Sequence, residues 1–341
     1  MKVGIHHNKQ DDRSFSKRWI EYCQQNDIDY KIVNAYDYNI VLQLSDCDVF
    51  MWHYFQTDYR DMLFAKQLLY SLQISGKKVF PDFHTCWHFD DKVGQKYLLE
   101  AIHAQFVPSY VFYKKKDAID WIYSTSFPKV FKLRGGAASA NVKLARSQEE
   151  ANRFVNKAFG RGYSQFDKIE NLKERIRKFN AGKDSLTGLL KGVGRLFIKT
   201  EFAKMFAREK GYVYFQDFIP NNKFDIRIVV VDEKAFAIKR MCRKNDFRAS
   251  GGGFLVYNRE EIDERCVSLA LDINLRLKSQ CTSYDFVFDE NNNPLIVEIS
   301  FGFMPKAYDL CEGYWDKDMN WLGGRFNPYG WMIEEVIRST N

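Results

Sequence analysis

Tyr284-Asp285-Phe286-Val287-Phe288 and Pro294-Leu295-Ile296-Val297-Glu298-Ile299-Ser300 are two short runs rich in β-branched and aromatic residues. Between them lies Asp289-Glu290-Asn291-Asn292-Asn293, so the whole reads as a β-hairpin. The hairpin puts Asp285 on one strand and Glu298 and Ser300 on the next. Residues two apart on a strand share a face, so Glu298 and Ser300 point the same way. Hard oxygen donors on a rigid sheet suit Mg²⁺ that bridges nucleotide phosphates. Acidic strand residues also serve as an ordinary solvated face, and the segments upstream bear on the choice.

The first of these is Lys132-Leu133-Arg134-Gly135-Gly136-Ala137-Ala138-Ser139-Ala140-Asn141. A strand over 129–133 runs into a small-residue turn, and a second strand follows over 142–145. Glycines let backbone N–H groups approach phosphate oxygens, and Lys132 can add a point charge. A plain hairpin with a Gly-Gly turn has the same pattern. A Walker A loop is absent, and Gly192-Val193-Gly194 lacks the third glycine of a dinucleotide fingerprint. The second segment, Val213-Tyr214-Phe215-Gln216-Asp217-Phe218-Ile219-Pro220, reads as an edge strand ended by proline. Its backbone groups can pair with an adenine edge, and Asp225 of Asp225-Ile226-Arg227 can accept from ribose hydroxyls. An edge strand and a turn with no ligand fit equally. The third, Asp246-Phe247-Arg248 followed by Gly251-Gly252-Gly253, holds a guanidinium suited to phosphate beside a glycine run, or is a plain connector.

Residues 1–80 alternate strand and helix: strands at 3–7, 30–34, 47–54 and 78–80, helices at 14–25 and 57–74. That pattern predicts a small parallel sheet. His6, His7, Trp52, His53 and Tyr54 fall at the ends of its strands, where such sheets bind ligands, and serve equally as packing residues. Helices are expected at 92–104, 115–124 and 259–279, strands at 110–113, 225–231 and 235–242, and a last helix at 331–339. Asp82, His84, Cys86 and His88 alternate with metal-ligand spacing, but no second ligand pair of zinc type accompanies them.

The chain has 341 residues, enough for two or three subdomains around large cores. A hydrophobic fraction of 45% with 28% charged residues excludes a disordered chain. The net charge of +7 suits polyphosphate or acidic ligands but is too small at this length to argue nucleic-acid binding. Seven scattered cysteines without a CxxC pair predict a reducing compartment. No apolar run approaches the roughly 18 residues that span a bilayer, and the first residues lack the apolar core of a secretory signal. The chain reads as cytoplasmic.

Taken in order, these segments resemble the ATP-grasp superfamily, in particular the glutathione-synthetase and ribosomal-protein glutamate-ligase type. The resemblance runs over residues 90–305, and residues 1–85 look like the small α/β domain that precedes a grasp fold. It implies an α/β and α+β architecture: a small N-terminal parallel α/β domain (1–85), a first ATP-grasp subdomain with a basic helical insertion (86–210), and a second subdomain with the C-terminal tail (211–341). By resemblance, Lys92 and Lys132 contact ATP, Gly135 and Gly136 belong to the phosphate loop, and Gln216, Asp217 and Phe218 form the adenine-reading strand. Asp225 faces ribose, Arg248 touches the transferred phosphoryl group, and Asp285 and Glu298 hold the metal. Where the family has Glu-x-Asn, this chain has Glu298-Ile299-Ser300, so Ser300 replaces an amide ligand by a hydroxyl.

The resemblance implies an ATP- and Mg²⁺-dependent carboxylate–amine or carboxylate–thiol ligase that forms an acyl phosphate, with Lys132 and Arg248 as catalytic cations. The alternatives are a phosphotransferase of the same fold and a nucleotide-binding module without catalysis. The tail, with Gly313-Tyr314-Trp315-Asp316 and Trp331-Met332-Ile333-Glu334, is similar to grasp enzymes of surface-polysaccharide gene clusters. The implied partners are a small-molecule or saccharide carboxylate and an amine, with no nucleic acid. The basic stretch 173–210 reads as a solvated helical face or as a contact for an anionic substrate or a membrane surface. The sequence leaves the oligomeric state open.

Overall fold

The structure is a computed structural model, and it describes residues 1–9, 11–135, 142–164, 176, 207–242 and 254–338. Gly136, Arg248, the Gly192–Gly194 segment and the basic stretch 173–210, apart from 176 and 207–210, lie outside the described residues.

The first 80 residues form β1 (Val3–His6), α1 (Ser16–Gln25), β2 (Tyr30–Val33), α2 (Ile40–Gln43), β3 (Val49–Met51), α3 (Tyr59–Ile74) and β4 (Lys78–Phe80). The strands make a parallel sheet in the order β2-β1-β3-β4, as the strand–helix alternation implies. Alternation along the strands splits the apolar residues between two faces. Phe50 and Val79 meet Ala65 and Leu69 of α3 on one side, and Val3, Ile5, Met51 and Phe80 meet Trp19 of α1 on the other.

The next unit contains α4 (Phe83–Cys86), α5 (Lys92–Ala101), β5 (Ser109–Phe112), α6 (Lys115–Ser124), β6 (Lys129–Lys132), β7 (Lys143–Ala145), α7 (Gln148–Phe159) and β8 (Val213–Asp217). Asp82, read as a possible metal ligand, instead caps α4, its carboxylate accepting from Thr85 N–H at 2.8 Å. The antiparallel sheet runs β5-β8-β6-β7, with α6 and α7 on its apolar side. Here the structure departs from the sequence reading in two ways. The boundary at residue 211 implies that β8 lies in the second subdomain, yet it pairs with β5 and β6 and so belongs to the same sheet as they do. It was also read as an edge, yet a neighbour lies on each side of it. Pro220 marks where a strand ends and carries no information on what flanks it.

The third unit is built on β9 (Phe224–Val231), β10 (Lys234–Met241), β11 (Leu255–Val256), α8 (Glu264–Leu277), β12 (Cys281–Phe288), β13 (Pro294–Ser300), β14 (Gly313–Trp315), β15 (Trp321–Gly323) and α9 (Pro328–Arg338). Its antiparallel sheet runs β13-β12-β9-β10-β14-β15, with β11 also on β10. Ile226, Ile228, Val230, Tyr284 and Phe286 cover α8. A bulge between Asp285 and Phe286 pairs Asp285 with Glu298 but Phe286 with Ile296, so Val297 is the extra residue. Because of it Ile296 and Ile299 both turn toward α8, and Glu298 and Ser300 stay on the opposite face.

That opposite face is divided. At one end Val229, Val231, Phe236 and Ile238 share a core with β1, β3, α1 and α9, so the N-terminal sheet is packed onto the third unit. At the other end the same face carries Asp225, Arg227, Arg240, Asp285 and Glu298. Helix α9 closes the shared core against α1. Gly330 sits where the Tyr22 ring crosses it: a Cβ there would lie 2.8 Å from Tyr22 Cδ2 and closer still to Cε2. Gly330→Ala is therefore expected to cost about 1–3 kcal/mol through overpacking. Urea denaturation measures this, and an unchanged midpoint would mean that Tyr22 swings clear.

Candidate active site

Local fastening explains why distant lysines meet. Asp91 caps α5 by accepting from Gly94 N–H at 2.9 Å, which makes Lys92 the first helical residue. The Lys92 N–H donates to the Arg134 carbonyl at 2.9 Å, and the Arg134 guanidinium returns to Asp91 at 2.9 Å. Arg134 is two residues beyond Lys132, so α5 is tied to the end of β6. Gln95 Oε1 accepts from Ile299 N–H at 3.4 Å, which lays α5 beside β13. Gln216 on β8 reaches the same strand, its amide donating to the Val297 carbonyl at 3.4 Å and to Ser109 Oγ at 3.1 Å.

Two lysines and two carboxylates meet at this junction. Lys92 Nζ lies 3.1 Å from Glu298 Oε1. Lys132 is 6% exposed and has no carboxylate within ion-pair distance among the described residues, although Glu298, Asp285 and Lys92 all act on its charge. Burial pulls the Lys132 ammonium down to about 8, against the opposing pull of Glu298. Burial lowers Lys92 too, but Glu298 and Asp90 outweigh it and hold Lys92 above its ordinary value. Burial raises Glu298, yet the two lysines prevail and keep it below the usual carboxylate range. Its side chain remains 36% exposed.

Beside Glu298 a ladder of charges crosses the sheet. Asp285 is in register with Glu298 on one side and Arg227 on the other. Arg227 grips it with two bonds, Nε to Oδ1 at 2.5 Å and Nη2 to Oδ2 at 2.7 Å. Arg240 Nη2 adds a contact to Asp285 at 2.9 Å, while its Nε donates to Asp225 Oδ1 at 2.8 Å. Burial raises Asp285, but both arginines overcome it and hold the carboxyl far below its ordinary value. Nη1 of each arginine has no acceptor among the described residues. The Tyr308 hydroxyl, enclosed and without a hydrogen-bond partner among the described residues, is electrostatically coupled to both guanidinium groups. Four cations (Lys92, Lys132, Arg227, Arg240) thus meet three carboxylates (Asp225, Asp285, Glu298), a balance that favours a polyanion.

Of the residues expected at the site, the structure brings together Lys92, Lys132, Asp285 and Glu298. Others are placed differently. Asp225 is 2% exposed with both oxygens engaged by Arg240, so it is not offered to a ribose; strand alternation turned it inward opposite that arginine. The Asp217 carboxylate pairs with Lys129 at 2.5 Å, and its N–H is taken by the Pro108 carbonyl. Gly135 is buried at the root of its loop, and its N–H faces Glu209 at 3.5 Å. The Ser300 hydroxyl closes a turn, accepting from Gly302 N–H at 3.2 Å and donating to the Gly302 carbonyl at 3.3 Å. Arg227, Arg240 and Lys129 were not singled out from the sequence.

The same residues form the candidate donor set for Mg²⁺. Carboxylates and a hydroxyl are the right chemistry for a hard cation. No group of three or more His, Cys, Asp or Glu side chains is set to hold a metal among the described residues. Glu298 keeps an open oxygen face, Asp285 shares both oxygens with arginine, and Ser300 has one lone pair left. The residues present fit a hard cation, which Glu298 would hold with its open oxygen face.

A family model described as a RimK-like ATP-grasp domain matches residues 199–304. No curated protein sequence matches the chain. Among solved structures, the biotin carboxylase domain of 2-oxoglutarate carboxylase from Hydrogenobacter thermophilus, complexed with MgADP and bicarbonate, superposes with a TM-score of 0.61 at 12% identity, covering 99% of this chain and 70% of that one. A D-alanine–D-alanine ligase from Bacillus anthracis complexed with ATP gives 0.57 at 13% identity, with 99% and 97% covered. A RimK domain ATP-grasp protein from Sphaerobacter thermophilus gives 0.55 at 15%, with 99% and 100% covered.

Proposed function

We propose, from the premise that this chain has the ATP-grasp fold, that it is an ATP-dependent carboxylate–amine or carboxylate–thiol ligase working through an acyl phosphate. The observation that carries the reading is the ion pair of Lys92 with Glu298, directly across from Asp285, beside a buried Lys132 whose charge both carboxylates influence. In the proposed reaction a substrate carboxylate oxygen attacks the γ-phosphorus and ADP leaves. An amine or thiol then attacks the acyl carbon, and phosphate departs with the C–O bond electrons.

Lys92 and Lys132 neutralise phosphate charge, preorganised by burial so that little reorganisation accompanies the transfer. By the resemblance, Gly135 and Gly136 belong to the phosphate-binding segment, which serves to keep water from the acyl phosphate. Arg248 contacts the phosphoryl group in flight. Glu298, with Asp285 beside it, would hold Mg²⁺, which when bound offsets the charge developing on the phosphates. The backbone following Asp217 reads adenine. The acid is a small molecule or a saccharide carboxylate, and the tail's likeness to enzymes of surface-polysaccharide synthesis favours the saccharide, with the work done in the cytoplasm. No helix of the described residues is long and apolar enough to cross a membrane.

A screen of amino acids and sugar acids against amine acceptors, read by ADP release and mass of the product, tests the reading. The expected product is an amide or thioester formed with one ADP, and Glu298→Gln should reduce turnover at least a hundredfold. A stable phosphoester would instead make the chain a phosphotransferase. A second reading, nucleotide binding without chemistry, draws on the occupied oxygens of Asp285 and the turn-bound hydroxyl of Ser300. Tight ATP binding with no ADP from any pair would establish it.

A further inference from the structure

His53 follows β3 and is 3% exposed. Its ring stacks on Phe15, with centroids 3.6 Å apart at 14°, and Phe15 in turn packs on Phe303 beyond β13. Nδ1 accepts from the Phe15 N–H at 3.1 Å. An acceptor Nδ1 leaves the proton of the neutral ring on Nε2. Burial, the main cause, holds the imidazole down to about 3, so the neutral form is the resident one.

The donor so created is aimed. A Cβ built on Gly302 would lie 3.3 Å from His53 Nε2 and 3.9 Å from Ser300 Oγ. One small space therefore touches a donor from the N-terminal unit and the hydroxyl two residues beyond Glu298. The absence of a side chain at Gly302 keeps that space open. Nε2 makes no hydrogen bond among the described residues, and unlike the sealed ring nitrogens of His88 it is not fully enclosed. A rigid, uncharged N–H with no protein acceptor is costly unless something else accepts from it.

We propose that His53 is a substrate-positioning residue whose Nε2–H donates to a carboxylate oxygen of the acid substrate, in the gap over Gly302 and beside Ser300. This deepens the ligase reading and rests on it. A neutral donor suits the step: it orients the carboxylate without lowering the nucleophilicity of its oxygen as a full positive charge would.

The test uses the full chain labelled with ¹⁵N-histidine and saturated with MgADP, and acetate as the probe carboxylate. The free protein should show a neutral His53 with its proton on Nε2. Acetate should then shift that resonance in a saturable way. His53→Phe keeps the stacking on Phe15 and should weaken acetate binding at least tenfold, with MgADP affinity unchanged within twofold. His53→Gln, which carries an amide donor near the Nε2 position, should recover most of the loss. An Nδ1-protonated tautomer, or a resonance unmoved by 100 mM acetate while MgADP binds, overturns the assignment. Failure of MgADP to bind would fall on the ligase reading instead.

Discussion

Lys132→Met is expected to lower ATP turnover by roughly a hundredfold, about 3 kcal/mol in the barrier, the scale on which one preorganised charge acts in a water-poor site. The residue is buried, and no carboxylate holds it within ion-pair distance among the described residues. Its charge is therefore available to a phosphate. The nucleotide-free protein should also show the lysine's titration. Burial brings the ammonium to about 8, so the phosphate-binding form is lost as pH rises through that value. ATP affinity, measured by calorimetry, should accordingly fall above about pH 8. The bound complex should be less sensitive, because phosphate oxygens favour the charged form. Lys132→Arg separates charge from geometry. A guanidinium stays protonated throughout this range, so its ATP affinity should lose the alkaline fall even where turnover suffers from the changed shape. Wild-type turnover in Lys132→Met, or the same alkaline limb in both variants, would remove Lys132 from the reaction.

The sequence disclosed some of this site and hid the rest for physical reasons. Asp285 and Glu298 were legible because a hairpin with a polar turn exposes its own alternation. The bulge at Val297 was not, since any of several aliphatic residues in Leu295–Ile299 can be the unpaired one, and it is the bulge that sets Asp285 opposite Glu298. The strand–helix rhythm of residues 1–80 foretold a parallel sheet, but the docking of α9 onto α1 depends on shape, and only the helical period near Trp331 was visible. Arg240 was missed because Asp232-Glu233 is a poor sequence signature for a two-residue turn. Both residues adopt positive φ, at 48° and 62°, and with Val231 paired to Lys234 the register places Arg240 opposite Asp225. The strands expected at 225–231 and 235–242 imply a turn between them but leave three residues in it; only its true two-residue length fixes the register that sets Asp225 opposite Arg240. β8 was misplaced for a related reason: its composition says strand, and its neighbours are set by contacts more than 80 residues away.

Arg240→Met is expected to cost roughly 3–5 kcal/mol of folding stability, the usual penalty for stripping one partner from a buried ion pair. Asp225 is 2% exposed, and its described hydrogen bonds all come from Arg240. Burial already raises its carboxyl to about 6 with Arg240 present, and Arg240 is the main opposing influence. Without the arginine the folded-state value rises further, while the unfolded value stays near the ordinary ~3.9. A carboxyl raised on folding supports the folded state while protonated, and that support is lost as pH rises through the folded value. The gap between variant and wild type should thus narrow below about pH 6 and widen above it, as guanidinium denaturation at pH 5 and pH 8 would reveal. Replacing both partners, as Arg240→Met with Asp225→Leu, should restore more than half of the loss, because a packed apolar pair has no charge to desolvate. Arg240→Met also removes a 2.9 Å contact to Asp285, but Asp285 keeps both bonds from Arg227 in either variant, so most of the recovery in the double substitution reports the Asp225–Arg240 pair. A single variant as stable as wild type at pH 8 would mean that Asp225 reaches water or another cation, and the ladder would then not be the element that holds Asp285 and Glu298 in register with the lysines.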